Sequence, residues 1–214
     1  RSRGLGDVYK RQIAASIKDF YRIDLPDSNW DTITVPSNWE IQGFGEPIIR
    51  NIQYVFSSNP PYIDVDNPVG TYRRTFTVPR NWQEREVFLH FGSISGYARI
   101  YVNGQQVGMT KASKTPAEFN VTNYLKEGEN LLAVQIYRWH DGSYMEDQDF
   151  WRLTGIERDV FLQAYPKLTI WDFFLKSSLD STYKNGIFNA TVDLREFTGN
   201  NVKKGTLKLE LLDK

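Results

Sequence analysis

A chain of 214 residues has room for one to two domains of ordinary size. Its 26 Lys+Arg balance 26 Asp+Glu, and a zero net charge excludes an electrostatic nucleic-acid binder. With no Cys and only His90 and His140, disulfides, thiolate nucleophiles and a multi-histidine zinc site are excluded too, and no apolar run reaches the roughly 20 residues of a membrane helix.

Residues 1–12 carry neither helical nor strand periodicity, no apolar signal-peptide stretch and no initiating Met. They read as a non-native leader outside the fold, and the first domain is expected over residues 13–166. Residues 30–36 are extended, with Pro36 closing the run. From 35 to 70, Pro and Gly are too dense for regular structure. Trp39, Phe44, Tyr54 and Tyr62 are nonetheless too apolar for a loose linker, so this segment must be strapped onto something.

Residues 70–79 alternate apolar and polar with period two, as a half-buried strand does. Residues 86–91 read the same way. Tyr97-Ala-Arg-Ile-Tyr-Val102, then Asn103-Gly104, then residues 105–109 form a hairpin signal, because Asn-Gly supplies the positive φ angles of a type I′ turn. Residues 131–139 and 158–165 add two more strands. No ten-residue helical stretch interrupts them, so the expected class is all-β, an antiparallel sandwich. After Pro166, residues 168–175, 186–194 and 205–212 read as three further strands. Three strands leave an apolar face uncovered, which makes residues 167–214 a partial second β-domain.

The densest chemistry lies in Arg138-Trp-His-Asp-Gly-Ser-Tyr-Met-Glu-Asp-Gln-Asp-Phe-Trp-Arg152. Asp141, Glu146, Asp147 and Asp149 stand between aromatic rings, two arginines and a histidine. Carboxylates accept hydrogen bonds from sugar hydroxyls while indoles stack on the C–H face of a pyranose. Carboxylate oxygens also hold hard cations such as Na⁺, Ca²⁺ or Mg²⁺. A plainer reading stays open, in which Arg138 and Arg152 pair with the acids of a solvated loop. A glycosidase pair needs two acids at a set separation, which spacing along a loop does not define. Asn51 is a candidate ligand contact or a turn residue. Ser93 and Ser113 lack the Gly-x-Ser-x-Gly context of a nucleophile elbow. His90 alternates within a strand as a core or edge histidine.

Val35-Pro-Ser-Asn-Trp-Glu40, Asn59-Pro-Pro61, Asn103-Gly104, Pro116-Ala-Glu-Phe119, Gly128-Glu-Asn130 and the run to Arg152 occur in a telling order, continued by Leu153-Thr-Gly-Ile156. From about Trp30 to the C-terminus this order resembles bacterial β-galactosidases of glycoside hydrolase family 2. The resemblance implies a jelly-roll, galactose-binding-like β-sandwich followed by the start of an immunoglobulin-like β-sandwich. It places Asn51 at the galactosyl site, and Asp149 on galactosyl hydroxyls and a Na⁺ ion. Asp141 would lie near a structural Mg²⁺.

The family's acid/base and nucleophile are glutamates of a (β/α)₈ barrel that this chain does not reach. No catalytic residue is therefore expected here, and the chain alone is expected to be inactive. The implied partner is a β-galactoside, in a full-length homo-oligomer that engages neither nucleic acid nor membrane and carries Na⁺ and Mg²⁺ but no organic cofactor. A stand-alone carbohydrate-binding module and a structural β-domain of another family 2 glycosidase are the alternatives.

Overall fold

The computed structural model describes residues 2–4, 8–14, 16–49, 55–146, 151–199, 206–210 and 212. The strands up to the central hairpin are β1 (Ser2–Gly4), β2 (Val8–Ala14), β3 (Asp31–Thr34), β4 (Ser37–Asn38), β5 (Ile48–Ile49), β6 (Val69–Thr77), β7 (Glu86–Phe91), β8 (Ile94–Ser95) and β9 (Tyr97–Val102). There follow β10 (Gln105–Thr110), β11 (Ala117–Asn120), β12 (Glu129–Tyr137), β13 (Trp151–Arg152), β14 (Gly155–Ile156), β15 (Val160–Tyr165), β16 (Leu168–Leu179) and β17 (Gly186–Glu196). Helical backbone among the described residues is limited to short 3₁₀ turns. The chain divides into two compact units, residues 1–83 with 87–164 and residues 84–86 with 165–214.

The first unit is a sandwich. A six-stranded sheet runs β10-β9-β12-β6-β2-β3 and a four-stranded sheet runs β1-β15-β7-β11. Period-two alternation sends Leu132, Val134 and Ile136 of β12, Ile100 and Val102 of β9, Leu89 and Phe91 of β7 and Leu162 of β15 into one buried cluster. Asn103 (φ 50°) and Gly104 (φ 83°) make the turn between β9 and β10 as the Asn-Gly pair predicts. The Asn103 amide also donates to the Tyr124 carbonyl at 2.8 Å and accepts from Leu131 N–H at 2.9 Å, which ties the turn to β12.

The outer face of the large sheet is covered too. Ala133 lies beneath Phe20 and Tyr101, and Tyr21 stacks on Tyr101 with ring centroids 4.6 Å apart. Arg73 of β6 organises this cover. Its guanidinium, 3% exposed, reaches Asp27 Oδ2 at 3.0 Å and the Arg22 carbonyl at 3.0 Å, and donates to the Phe20 carbonyl as well. A buried charge is tolerable only with a counter-charge and filled donors, and residues 20–27 supply both.

Three expectations are corrected. The described residues of 1–12 do not stand outside the fold: β1 pairs with β15, and β2 fills the slot between β3 and β6. Ladder pairing uses main-chain groups, which no side-chain periodicity announces. In the second unit β16 and β17 form an antiparallel hairpin with a register shift between Ile170 and Asp172. The third expected strand is not formed at residues 206–210, which have no ladder partner despite alternating Leu207 and Leu209. His90 is neither fully buried in the core nor at a sheet edge: it lies on β7, between β15 and β11, with Nδ1 2.8 Å from Glu118 Oε1 of β11 and its ring on Phe161 of β15.

Candidate functional site

Strand β12 ends at Tyr137, and the chain then turns through Arg138-Trp139-His140 into a single 3₁₀ turn, Asp141–Tyr144. His140 and Ser143 cap that turn reciprocally. The His140 N–H donates to Ser143 Oγ at 3.1 Å, and His140 Nδ1 accepts from Gly142 N–H at 3.1 Å. An accepting Nδ1 leaves the proton of the neutral ring on Nε2, which faces Glu146 Oε2 at 3.6 Å. Glu146 Oε1 accepts the Ser113 N–H at 3.1 Å. Burial pushes the Glu146 carboxyl up, but the His140 ring and Ser113 outweigh it and hold the group below its ordinary value.

A cleft of ≈ 290 Å³ opens beside this turn, lined among others by Ser113, Arg138, Trp139, Glu146, Trp151 and Thr154. That is near the lower end of small-ligand sites, about 300–1,000 Å³, and suits a single ring. Trp139 is fixed from behind. Asn67 brackets its backbone with bonds of 2.8 and 2.7 Å, and Phe56 packs on its ring at 5.6 Å. Tyr144 packs on Phe56 at 4.8 Å, with Oη 2.6 Å from the Tyr62 carbonyl. The described parts of the Pro- and Gly-rich segment are therefore strapped down, although Tyr62 itself is 68% exposed, and Tyr54 lies outside the described residues.

Beneath the cleft, Arg138 turns inward and, among the described loop acids, pairs with neither Asp141 nor Glu146. Its Nη2 donates to the carbonyls of Glu46 at 3.1 Å and Arg152 at 3.0 Å, and Nη1 lies 3.7 Å from Glu40 Oε1. Glu40 Oε2 accepts the Thr154 N–H at 2.9 Å, and the Trp39 N–H donates to the Thr154 carbonyl at 3.0 Å. The Trp39-Glu40 pair thus anchors the strand that leaves the cleft. Burial pushes the Glu40 carboxyl above its ordinary value, with the Thr154 amide and Arg138 only partly opposing it. Burial likewise lowers Arg138, and Glu40 opposes that.

Asn51, Asp147 and Asp149 lie outside the described residues. Their flanks are described. Glu146 and Trp151, on either side of the Asp149 segment, both line the cleft. Strand β13 pairs with β5 in the register Trp151↔Ile49 and Arg152↔Ile48.

Residues 8–166 match the family described as glycosyl hydrolases family 2, sugar binding domain. The chain belongs to that family. It is 40% identical over 202 residues to a β-galactosidase of Priestia megaterium, covering 92% of this chain and 20% of the relative. It is 45% identical over 175 residues to a β-galactosidase of Vibrio cholerae, covering 82% and 17%. The chain therefore spans about a fifth of the length of these curated relatives. Among solved structures, a β-glycosidase from Bacteroides vulgatus has the same fold with a TM-score of 0.70 at 20% identity, covering 92% of this chain and 24% of that one. A β-glucuronidase from an uncultured Clostridium aligns with a TM-score of 0.68 at 24% identity, covering 91% and 34%.

Within this family 2 domain, the surroundings of Asp141 do not fit the Mg²⁺ that the resemblance implies. Both its carboxylate oxygens lie 2.8 Å from Lys111 Nζ, and the described residues contain no group of three His, Cys, Asp or Glu able to hold a metal. A Mg²⁺ ion needs near-octahedral oxygens at about 2.0–2.1 Å, and an ammonium stands where it would sit. Sequence reasoning gave no role to Lys111, Ser113 or Glu40. Glu40 closes a motif that could have drawn attention, whereas Lys111 carries no local signal.

Proposed function

We propose that the chain is the sugar-binding part of a retaining β-galactosidase that hydrolyses terminal β-D-galactosyl residues, with Asn51 and Asp149 contacting the galactosyl ring. The observation that carries this is the register of β5 and β13. Ile49 pairs with Trp151 and Ile48 with Arg152, so described residues that flank Asn51 and Asp149 in the sequence are joined in one ladder beside the cleft. The cleft beside this ladder offers what a pyranose needs, indole surface from Trp139 and Trp151 with hydroxyls and a carboxylate around it. The names of the relatives, at 40–45% identity, support a galactoside as substrate.

The described carboxylates nearby already serve the fold. Asp141 is held by Lys111, Glu146 by Ser113, and Glu40 is buried against Thr154 and Arg138. This favours binding and orientation as the chain's contribution, with acid/base and nucleophile supplied elsewhere in the enzyme. Na⁺ is the ion Asp149 would hold, a hard cation suited to a carboxylate oxygen.

The test is Asp149→Asn in the intact enzyme, read as kcat/KM against pH and Na⁺. Losing one charge-assisted hydrogen bond costs about 1.5–3 kcal/mol, so kcat/KM should fall by roughly 10- to 150-fold with weaker Na⁺ dependence and both limbs of the pH profile intact. A near-total loss that removes one limb, with no change in the Na⁺ response, would make Asp149 an acid or base and overturn the binding role.

A further inference from the structure

The disagreement at Asp141 has a constructive reading. We infer that the Lys111 ammonium is the resident cation of the Asp141 carboxylate and takes the structural place of a divalent ion. It clamps the segment that follows β10 to the Asp141–Tyr144 turn.

The lysine is held on two sides. Its Nζ lies 2.8 Å from both oxygens of Asp141 and 5.7 Å from the centroid of Tyr97, whose ring stacks on Tyr137. A carboxylate on one side and an aromatic face on the other is a site for a cation. Here the cation is covalently part of the chain. Lys111 and its hydrogen bond also lower the Asp141 carboxyl below its ordinary value, as an opposite charge must.

The clamp joins two stretches that are stitched again nearby, where Ser113 N–H meets Glu146, and Ser113 Oγ accepts from Gly96 N–H at 3.0 Å. Ser113, Lys114, Ser143 and Glu146 all line the cleft, so Lys111 sets the wall that the 3₁₀ turn and the post-β10 segment build together. A tethered ammonium has no dissociation equilibrium. The wall should therefore keep its shape when divalent ions are withdrawn. A Mg²⁺ ion added to Asp141 would have to displace Lys111 or sit beside a like charge. The inference does not rest on the galactoside reading, since it concerns the fold of the cleft wall and not its occupant.

The experiment uses the full 214-residue chain and its Lys111→Met and Asp141→Asn variants. Thermal melting is followed by circular dichroism in MgCl₂ and in NaCl of matched ionic strength. The unsubstituted chain should melt at the same temperature in both salts. At low salt Lys111→Met should lower the Tm by about 1–3 °C, the range expected for an exposed but well-placed ion pair in a domain of this size. Asp141→Asn should lower it comparably. The double variant should lose no more than either single one, and all deficits should shrink as salt screens the pair. A rise of Tm specific to MgCl₂ in the unsubstituted chain, absent in Asp141→Asn, would restore a metal at Asp141 and overturn the inference. So would a Lys111→Met chain that melts with the unsubstituted one at low salt.

Discussion

At Gly70, on β6, a side chain of any kind is excluded by its neighbour. A Cβ built there would overlap the Trp39 ring and sit 2.6 Å from Cε3, and Trp39 is 1% exposed with no room to retreat. Gly70→Ala is therefore an overpacking change, which costs about 1–3 kcal/mol in a tight core. We expect Tm to fall by roughly 2–12 °C, since each kcal/mol moves a domain of this size by about 2–4 °C. An unchanged melt would mean that Trp39 can turn aside, and that the anchor of the cleft-exit strand is softer than its burial implies. At this scale the sequence was partly legible. Asn103-Gly104 announces its turn through backbone chemistry, and Trp39 announces burial through its size. Asn51 and Asp149 are proposed through resemblance to a family and lie outside the described residues. Lys111 had no local signal to offer, because a lysine after a strand reads as a solvated charge until its partner, 30 residues on, is brought alongside.

Between elements, the buried pair Glu40 and Arg138 ties the Trp39-Glu40 segment to the end of β12 and to β13. Removing one member of such a pair usually costs about 3–5 kcal/mol, because the other is left buried and uncompensated. Its pH signature has a definite sign. Burial raises the Glu40 carboxyl above its ordinary value in the folded chain, so between the two values the folded state keeps a proton that the unfolded state has released. Stability from this group falls as pH rises through that window, from about 4.3 upward, and stays lower beyond it. Glu40→Gln should be less stable overall, yet its gap to the unsubstituted chain should narrow as pH rises from about 4 to 7. Urea unfolding across that range measures the gap, and parallel curves would remove Glu40 from the account. The strands themselves were the most legible elements, since alternate apolar residues of β9 and β12, Ile100 with Val102 and Leu132 with Val134 and Ile136, enter one buried cluster. The outer cover was not legible. Arg73 reads as a solvent-side residue of β6, and only its contacts with residues 20–27 explain why it is buried. Strand β2 was hidden for a related reason, because it is a strand through its main-chain pairing.

On the scale of the molecule, the unit that contains residues 165–214 differs from the sandwich in what it buries. In the β16–β17 register Ile170 faces Leu194, Phe173 faces Val192, and Leu175 faces Ala190, so these side chains share one face of the hairpin, and Phe188 joins them. On that face Phe173 is 62%, Phe188 48% and Leu194 54% exposed. Phe174 and Ile187 on the opposite face are 67% and 42% exposed. A two-stranded hairpin lacks the cover that three or more strands with a buried face would provide, and among the described residues its outer edges have no strand partner. Exposed apolar surface next to free strand edges drives self-association. A chain ended at Lys167 keeps every strand of the two sandwich sheets and sheds both faces of the hairpin. It should remain unaggregated to a concentration several-fold higher than the full 214 residues, measured by static light scattering at matched pH and salt. A shorter chain that aggregates at the lower concentration would reverse the assignment. The hairpin would then be shielding apolar surface of its own protein, and the exposure of Phe173 and Phe188 would not be the property that governs solubility.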